Sequence, residues 1–188
     1  MNRWHISMAV RILKQGGIVA YPTEAVYGLG CLPEDHDAVY RLLHLKKREV
    51  AKGLILVAAC PEQLAKYVRY PDSTVSKRVY ATWPGPVTWL LPATRLVPDW
   101  IKGSHATVAV RVSGHAIVTA LCDKAGVLVS TSANPEHKPP ARTMRQVVGY
   151  FGHALDYIVP GEVGNLSSPT EIREAVSGKI IRPGDYSS

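Results

Sequence analysis

Cysteine is scarce in this chain: there are three in 188 residues, at positions 31, 60 and 122, an odd number with no CxxC pair. This excludes a disulfide framework and a zinc-ligand spacing, and it favours a reducing, intracellular setting, read here as cytoplasmic. No run approaches the roughly 18 apolar residues of a membrane span. The opening MNRWHISMAVRILKQGG, broken by Arg3, His5, Arg11 and Lys14, lacks the long apolar core of an export leader. The usual phosphate cradles are missing as well. There is no GxxxxGK[ST], and GLGCLP puts Pro33 where a dinucleotide loop needs its third glycine. Neither HExxH nor GxSxG occurs. The seven histidines, at 5, 36, 44, 105, 115, 137 and 153, fall at no metal-ligand spacing and are read as structural or surface residues. If this chain handles a nucleotide, side chains make the anion site.

What is present is positive charge on an alternating α/β pattern. The formal net charge of +7 makes the surface attractive to phosphates, on a nucleotide or along RNA. The length suits one domain, residues 1–188, with a sizeable core. Apolar spacing predicts helices near 5–15, 35–46, 61–68, 73–82, 115–125 and 143–151. Between them, IVAY, LILVAA, VTWLLPA, TVAVRV, VLVS, DYIV and KIIR read as strands, which gives the α/β class. A hairpin turn at Ser177-Gly178 makes the sheet mixed. The Pro-rich NPEHKPPAR, 134–142, is expected to be a mobile loop.

Four features carry potential chemistry, each with a plainer reading beside it. Lys46, Lys47 and Arg48 fall at or past a helix end, where cations offset the dipole by about 0.3–1 kcal/mol while solvated. Arg48 and Lys52 fit that role less well, because they directly precede a buried strand, at the edge where α/β sheets open into a ligand crevice. In YPTEAVYGLGC, Thr23 is either a substrate contact or the N-cap of a short helix starting at Val26, followed by a glycine turn. In VLVSTSANP, Ser130, Thr131, Ser132 and Asn134 either face a ligand or form the turn after a strand. Arg111, inside the apolar TVAVRV, must be paired or must face a cleft.

Taken in order along nearly the whole chain, YPTEAVYGLGC, LKKREVAKGLILVA, WPGPVTWLLPA, TVAVRV, STSAN and IIRPG closely resemble the YrdC-type threonylcarbamoyl-AMP synthase family in its short form. The family's Lys-x-Arg and Ser-x-Asn signatures correspond to Lys46/Arg48 and Ser132/Asn134. The resemblance implies a twisted mixed sheet flanked by helices. It also implies a nucleotidyltransferase that joins L-threonine, bicarbonate or carbon dioxide, and ATP into L-threonylcarbamoyl-adenylate with release of pyrophosphate. That product serves N6-threonylcarbamoylation of adenosine 37 in tRNA through downstream transfer proteins. On this basis Lys46 and Arg48 are the expected catalytic pair, and Lys46, Arg48, Lys52, Thr107, Ser132, Asn134 and Arg182 the ATP contacts, with Mg²⁺ accompanying the polyphosphate. Thr23, Arg111, Ser130 and Thr170 are the expected threonine contacts. The chain departs from the commoner family pattern at Lys52-Gly53, Val57, SANPEHKPP and SSPTEI, the last leaving Ser168 or Thr170 as the substrate hydroxyl.

Two other classes compete. An RNA-binding or ribosome-maturation protein would use the same charge, with nine tyrosines and four tryptophans available to stack on bases, yet no RNP-type aromatic strand or Gly-x-x-Gly loop occurs. Direct contact with tRNA is compatible with either class. A carbamoyl-transfer domain like those of hydrogenase maturation proteins would share the fold inside a longer chain.

Overall fold

Alternation along the strands places a sheet between two helical layers. In a computed structural model that describes residues 2–167 and 170–184, the chain forms nine strands and six α-helices among those residues. Ser168 therefore lies outside the described residues. The strands are β1 (Val19–Pro22), β2 (Tyr27–Gly30), β3 (Ile55–Ala58), β4 (Val87–Pro92), β5 (Thr107–Val112), β6 (Leu128–Ser132), β7 (Tyr157–Ile158), β8 (Glu171–Glu174) and β9 (Ile180–Arg182). The helices are α1 (Arg3–Lys14), α2 (His36–Lys46), α3 (Ser73–Tyr80), α4 (Asp99–Lys102), α5 (Ala116–Ala125) and α6 (Met144–Phe151). Spatially the sheet runs β7-β1-β2-β6-β3-β5-β4-β8-β9. Pairs β1–β7, β3–β5 and β4–β8 are parallel and the rest antiparallel, so the sheet is mixed as expected.

Local chemistry sets the helix ends. Asn2, Asp35, Asp72 and Thr143 accept backbone N–H bonds as N-caps, and Thr143 with Gln146 completes a capping box. α2 stops because Lys47 turns left-handed, at φ 48°, which sends Lys46 and Arg48 in different directions.

The period-two alternation divides the core. Val19, Tyr21, Val57 and Leu128 pack under α1 and α5 with Ile6, Leu13, Val118 and Leu121. Their neighbours Ile18, Ala20, Leu56 and Val129 face the other way, against the layer that includes Leu42 of α2, Val79 of α3, Ile101 of α4 and Val147 of α6. Along β5, Val108, Val110 and Val112 belong to that second core. Thr107, Ala109 and Arg111 therefore face the side of the sheet that carries α1 and α5.

The structure corrects several expectations. Residues 61–68 make only a 3₁₀ turn, Pro61–Leu64. No helix begins at Val26, and Thr23 is not an N-cap: its hydroxyl and its N–H both donate to the Val26 carbonyl in a tight turn. The glycines read as a turn belong to β2, where a Cβ on Gly30 would stand 2.4 Å from the Val129 carbonyl oxygen. The four-residue α4 had no counterpart in the sequence reading. The hairpin at Ser177-Gly178 is present between β8 and β9, with Gly178 at φ 76°. The 134–142 segment has pinned ends, since Ala141 donates to the Ala133 carbonyl and Tyr27 to that of Ala141.

Helix α4 locks against the 3₁₀ turn Val50–Lys52 by direct backbone approach. Leu54 N–H donates to the Ile101 carbonyl at 2.8 Å and Ser104 N–H to that of Ala51 at 3.2 Å. Gly103, at φ +62°, would put a Cβ 2.4 Å from the Ala51 carbonyl oxygen. Gly103→Ala should cost about 1–3 kcal/mol of stability. Thermal unfolding should show this as a drop of about 2–4 °C for each kcal/mol; an unchanged midpoint would contradict the close approach.

Candidate active site

Where α1 and α5 leave the sheet uncovered, β2, β3, β4, β5, β6, β8 and β9 line a cavity of about 420 Å³. Of the residues expected from the sequence, Thr23, Arg48, Lys52, Thr107, Arg111, Ser130, Ser132, Thr170 and Arg182 reach its wall, while Lys46 and Asn134 do not. Lys102 and His105, on α4 and the turn after it, also line it, so His105 is not the merely structural or surface residue expected from the sequence, and nothing in the sequence singled out Lys102. So five cations, Arg48, Lys52, Lys102, Arg111 and Arg182, face one space, and among the described residues no carboxylate lines it. The apolar part of the wall includes Leu54, Ile55, Leu90, Ile101, Ile172 and Ile181. Such a lining suits a ligand with several negative charges and a flat apolar part.

Backbone carbonyls aim the cations. Arg48 lies past the αL cap and donates through Nε and Nη2 to the Gly53 carbonyl at 3.1 and 2.9 Å. Burial lowers the pKa of its guanidinium. Arg182 Nη2 donates to the Thr170 carbonyl at 2.7 Å, and its pKa too is lowered, first by burial and then by Arg111 and Arg48. Lys52 is exposed and faces Glu49 at 3.5 Å.

Lys46 has a different place from the one its motif suggested. Its ammonium donates to the Ser132 carbonyl at 2.7 Å, to Asn134 Oδ1 at 2.8 Å and to the Asn134 carbonyl. Ser132 Oγ donates to the same Oδ1 at 2.6 Å, and Asn134 Nδ2 reaches the Lys138 carbonyl at 2.8 Å. Thus Lys-x-Arg and Ser-x-Asn meet as one bonded unit that fixes the end of β6. Burial, with Arg48 second, brings the Lys46 pKa down to about 8, while the three oxygens favour the charged form.

Arg111, 5% exposed, has its Nη2 3.4 Å from Glu24 Oε2. Glu24 comes from the β1–β2 turn, and its Oε1 accepts from Ser113 Oγ at 2.6 Å and Gly114 N–H at 3.2 Å. Burial by itself would raise the Glu24 pKa; Arg111, then the Ser113 hydroxyl, outweigh it and hold the carboxyl below its ordinary value. Arg111 Nε is buried without a hydrogen-bond partner. An arginine in an apolar strand signalled a pairing, but nothing in the sequence singled out Glu24.

A metal has little to hold it here. The lining offers hydroxyls and cations but no carboxylate, and among the described residues no cluster of three or more His, Cys, Asp or Glu side chains forms. The protein donor set therefore does not fit Mg²⁺, and the ion would be carried by the nucleotide's own phosphate oxygens.

A family model named Sua5/YciO/YrdC, described as telomere recombination, matches residues 11–184. A Pseudomonas aeruginosa protein named threonylcarbamoyl-AMP synthase is 50% identical over 183 residues, which is 97% of this chain and 99% of that one. The crystal structure of P. abyssi Sua5 complexed with L-threonine superposes with a TM-score of 0.91 at 30% identity, covering 98% of this chain and 55% of that chain. The crystal structure of E. coli YciO gives 0.86 at 24% identity, covering 98% and 91%, a likeness of fold.

Lys46→Met leaves the part-buried Ser132 and Asn134 carbonyls without their ammonium donor and takes one of two donors from Asn134 Oδ1, which should cost about 1–3 kcal/mol and loosen the 134–142 segment. Limited proteolysis should then cut that segment faster than in the wild type; identical digestion and stability would show that the ammonium holds nothing there. The Glu24–Arg111 pair gives a second expectation. The folded pKa of Glu24 lies below the ordinary 4.5, so its contribution is present above that value and is lost as pH falls through the folded value. In Glu24→Gln this part of the acid-unfolding profile should be missing; an unchanged pH dependence would show that the pair does not titrate as described.

Proposed function

Because the chain belongs to the Sua5/YciO/YrdC family, we propose that it is a threonylcarbamoyl-AMP synthase acting on L-threonine, bicarbonate or carbon dioxide, and ATP. The observation that carries the reading is the convergence of five cations and six serines and threonines, Thr23, Thr107, Ser130, Thr131, Ser132 and Thr170, on one half-apolar cavity. The chemistry asks mainly for positioning and charge neutralisation. The deprotonated threonine amine attacks carbon dioxide and forms a carbamate. A carbamate oxygen then attacks the α-phosphorus of ATP, and the bond to pyrophosphate breaks.

In this reading Arg48 and Lys52 take the polyphosphate, Lys102 extends that wall, and Arg182 approaches it from the β8–β9 hairpin. Arg111 takes the threonine carboxylate. Ser132 and Thr107 contact the nucleotide, and the isoleucine and leucine wall covers the base. Thr23, Ser130 and Thr170 face the threonine side chain. Thr23 already donates its hydroxyl hydrogen to the Val26 carbonyl, so to substrate it offers lone pairs only. Lys46 and Asn134 support the Ser132 end of β6 and touch the nucleotide only if their mutual bonds open. Because carbamates lose carbon dioxide in water, the cavity has to exclude solvent. Mg²⁺ enters with ATP, and the product passes to tRNA threonylcarbamoyl-transfer proteins in the cytoplasm. Among the described residues no helix is long and apolar enough to cross a membrane.

The RNA-binding reading is weakened because Tyr21, Tyr27, Tyr67, Trp83 and Trp89 are buried and cannot serve as stacking platforms. Direct contact with tRNA would rest on the surface charge and on exposed aromatics such as Trp4, Tyr40 and Tyr80.

Incubation with threonine, labelled bicarbonate and ATP should yield threonylcarbamoyl-adenylate and pyrophosphate. Folded Arg48→Ala should lose roughly one to two decades of rate or affinity, as expected for a missing charge-assisted phosphate contact; near-normal turnover would remove Arg48 from the site. With the amino acid varied, threonine should lead, serine should follow and valine should trail far behind, since valine leaves buried polar groups unpaired. Valine matching serine would show that the pocket reads shape and not the hydroxyl.

A further inference from the structure

The cations around the cavity are not balanced alike. Arg48 and Arg182 donate to neutral backbone carbonyls, at Gly53 and Thr170, and keep their full positive charge toward the space between them. Arg111 has a buried carboxylate at its back. Glu24 is absent from the cavity wall, and the side chains of Arg111 and Glu24 are only 7% and 13% exposed. Glu24 is also held, through Oε1 and through its backbone, while Oε2 faces Arg111 without a hydrogen bond. Ser113 Oγ and Gly114 N–H fix Oε1, while the backbone of its turn is gripped by the 161–166 segment: Gly164 N–H donates to the Thr23 carbonyl at 2.9 Å and Leu166 N–H to the Glu24 carbonyl at 3.2 Å. A Cβ on Gly164 would stand 2.6 Å from the Glu24 carbonyl oxygen, so this contact is close and backbone to backbone. Bonds at Oε1 and along its backbone keep the carboxylate from following a ligand into the cavity, whereas Arg111 itself lines the wall, its buried Nε–H without a partner.

We infer that Glu24 is a specificity-determining residue: it reserves the Arg111 end of the cavity for a singly charged carboxylate and turns phosphate groups away from it. The inference rests on the synthase reading above. A guanidinium already neutralised from behind offers little net Coulomb attraction, so what binds must gain from directed hydrogen bonds to the free N–H groups, as a planar carboxylate does. A phosphate group, with more charge, meets more of the Glu24 field, and that repulsion is the discriminating element. Among the described residues Arg48 and Arg182 make no ion pair with a carboxylate, and they suit the polyphosphate. A site that must seat a carboxylate and a triphosphate together thereby keeps ATP from occupying both ends.

Glu24→Gln removes the charge and nearly preserves the shape. In this variant inorganic phosphate should become a competitive inhibitor against threonine, where in the wild type it competes with ATP alone. The KM for threonine should rise roughly 10- to 100-fold as Arg111 loses its fixed geometry, while the KM for ATP stays close to the wild-type value. Phosphate inhibition that keeps the wild-type pattern, or equal shifts in both KM values, would overturn the inference and leave a merely structural ion pair. Should Glu24→Gln fail to fold, the wild type decides: threonine and phosphate should raise its thermal midpoint independently and additively, and mutual exclusion would overturn the inference. Loss of the synthase reading would look different, as wild-type protein that makes no threonylcarbamoyl-adenylate.

Discussion

Holding several like charges around one cavity is the constraint on which the rest of the site depends. A buried guanidinium without partners is costly, and Arg48 and Arg182 both have pKa values lowered by burial. The fold offsets that cost mostly with backbone carbonyls: Gly53 for Arg48, Thr170 for Arg182, and Ser132 and Asn134 for Lys46. Carbonyls satisfy donors without cancelling charge, so the cations stay electropositive toward a ligand. Arg111 is instead backed by a buried carboxylate, Glu24, while the more exposed Lys52 and Lys102 face the surface carboxylates Glu49 and Asp99.

That arrangement requires backbone to come close to side chains and to other backbone, and glycine permits it. Gly53, whose carbonyl holds Arg48, sits at φ 64° with the Lys102 carbonyl oxygen 3.0 Å from where a Cβ would be. Its neighbour Lys52 and, across the contact, Lys102 both line the cavity. One tight approach thus sets the position of three cations from two distant parts of the chain. On β2, Gly28 leaves room beside Ser130 and Thr23, each of which would be 3.3 Å from a Cβ. The expected glycine turn is in fact a strand for the same reason: the missing side chains are space given to neighbours.

How much of this the sequence made legible depended on how local each signal was. Short apolar runs revealed β1, β3, β4, β5 and β6, and apolar spacing located most of the helices. β2 was hidden because glycines give no alternation, and α4 because four residues carry no helical period. The 61–68 pattern overestimated a single 3₁₀ turn, Pro61–Leu64. At the site, strand residues such as Arg111 and Ser130 were legible, since burial and chemistry conflicted openly in an apolar run. Lys46 was legible as important but not in its contacts, because the αL turn at Lys47 separates it from Arg48 by conformation, not by spacing. Lys102, His105 and Glu24 were missed because only tertiary packing brings them to the cavity or behind Arg111.

The bonding of Lys46 also explains why two short signatures travel together. Lys-x-Arg places one cation on each side of a left-handed residue: Arg48 reaches the cavity and Lys46 turns back to the end of β6. Ser-x-Asn supplies the matching acceptors, two carbonyls and an amide oxygen, and the Ser132 hydroxyl adds a second bond to that amide oxygen. Losing either signature leaves buried partners of the other unsatisfied, a larger penalty than losing one solvated contact. The pairing is therefore a requirement of the folded site itself, and β6 cannot present Ser130 and Ser132 to the cavity in a fixed position without it.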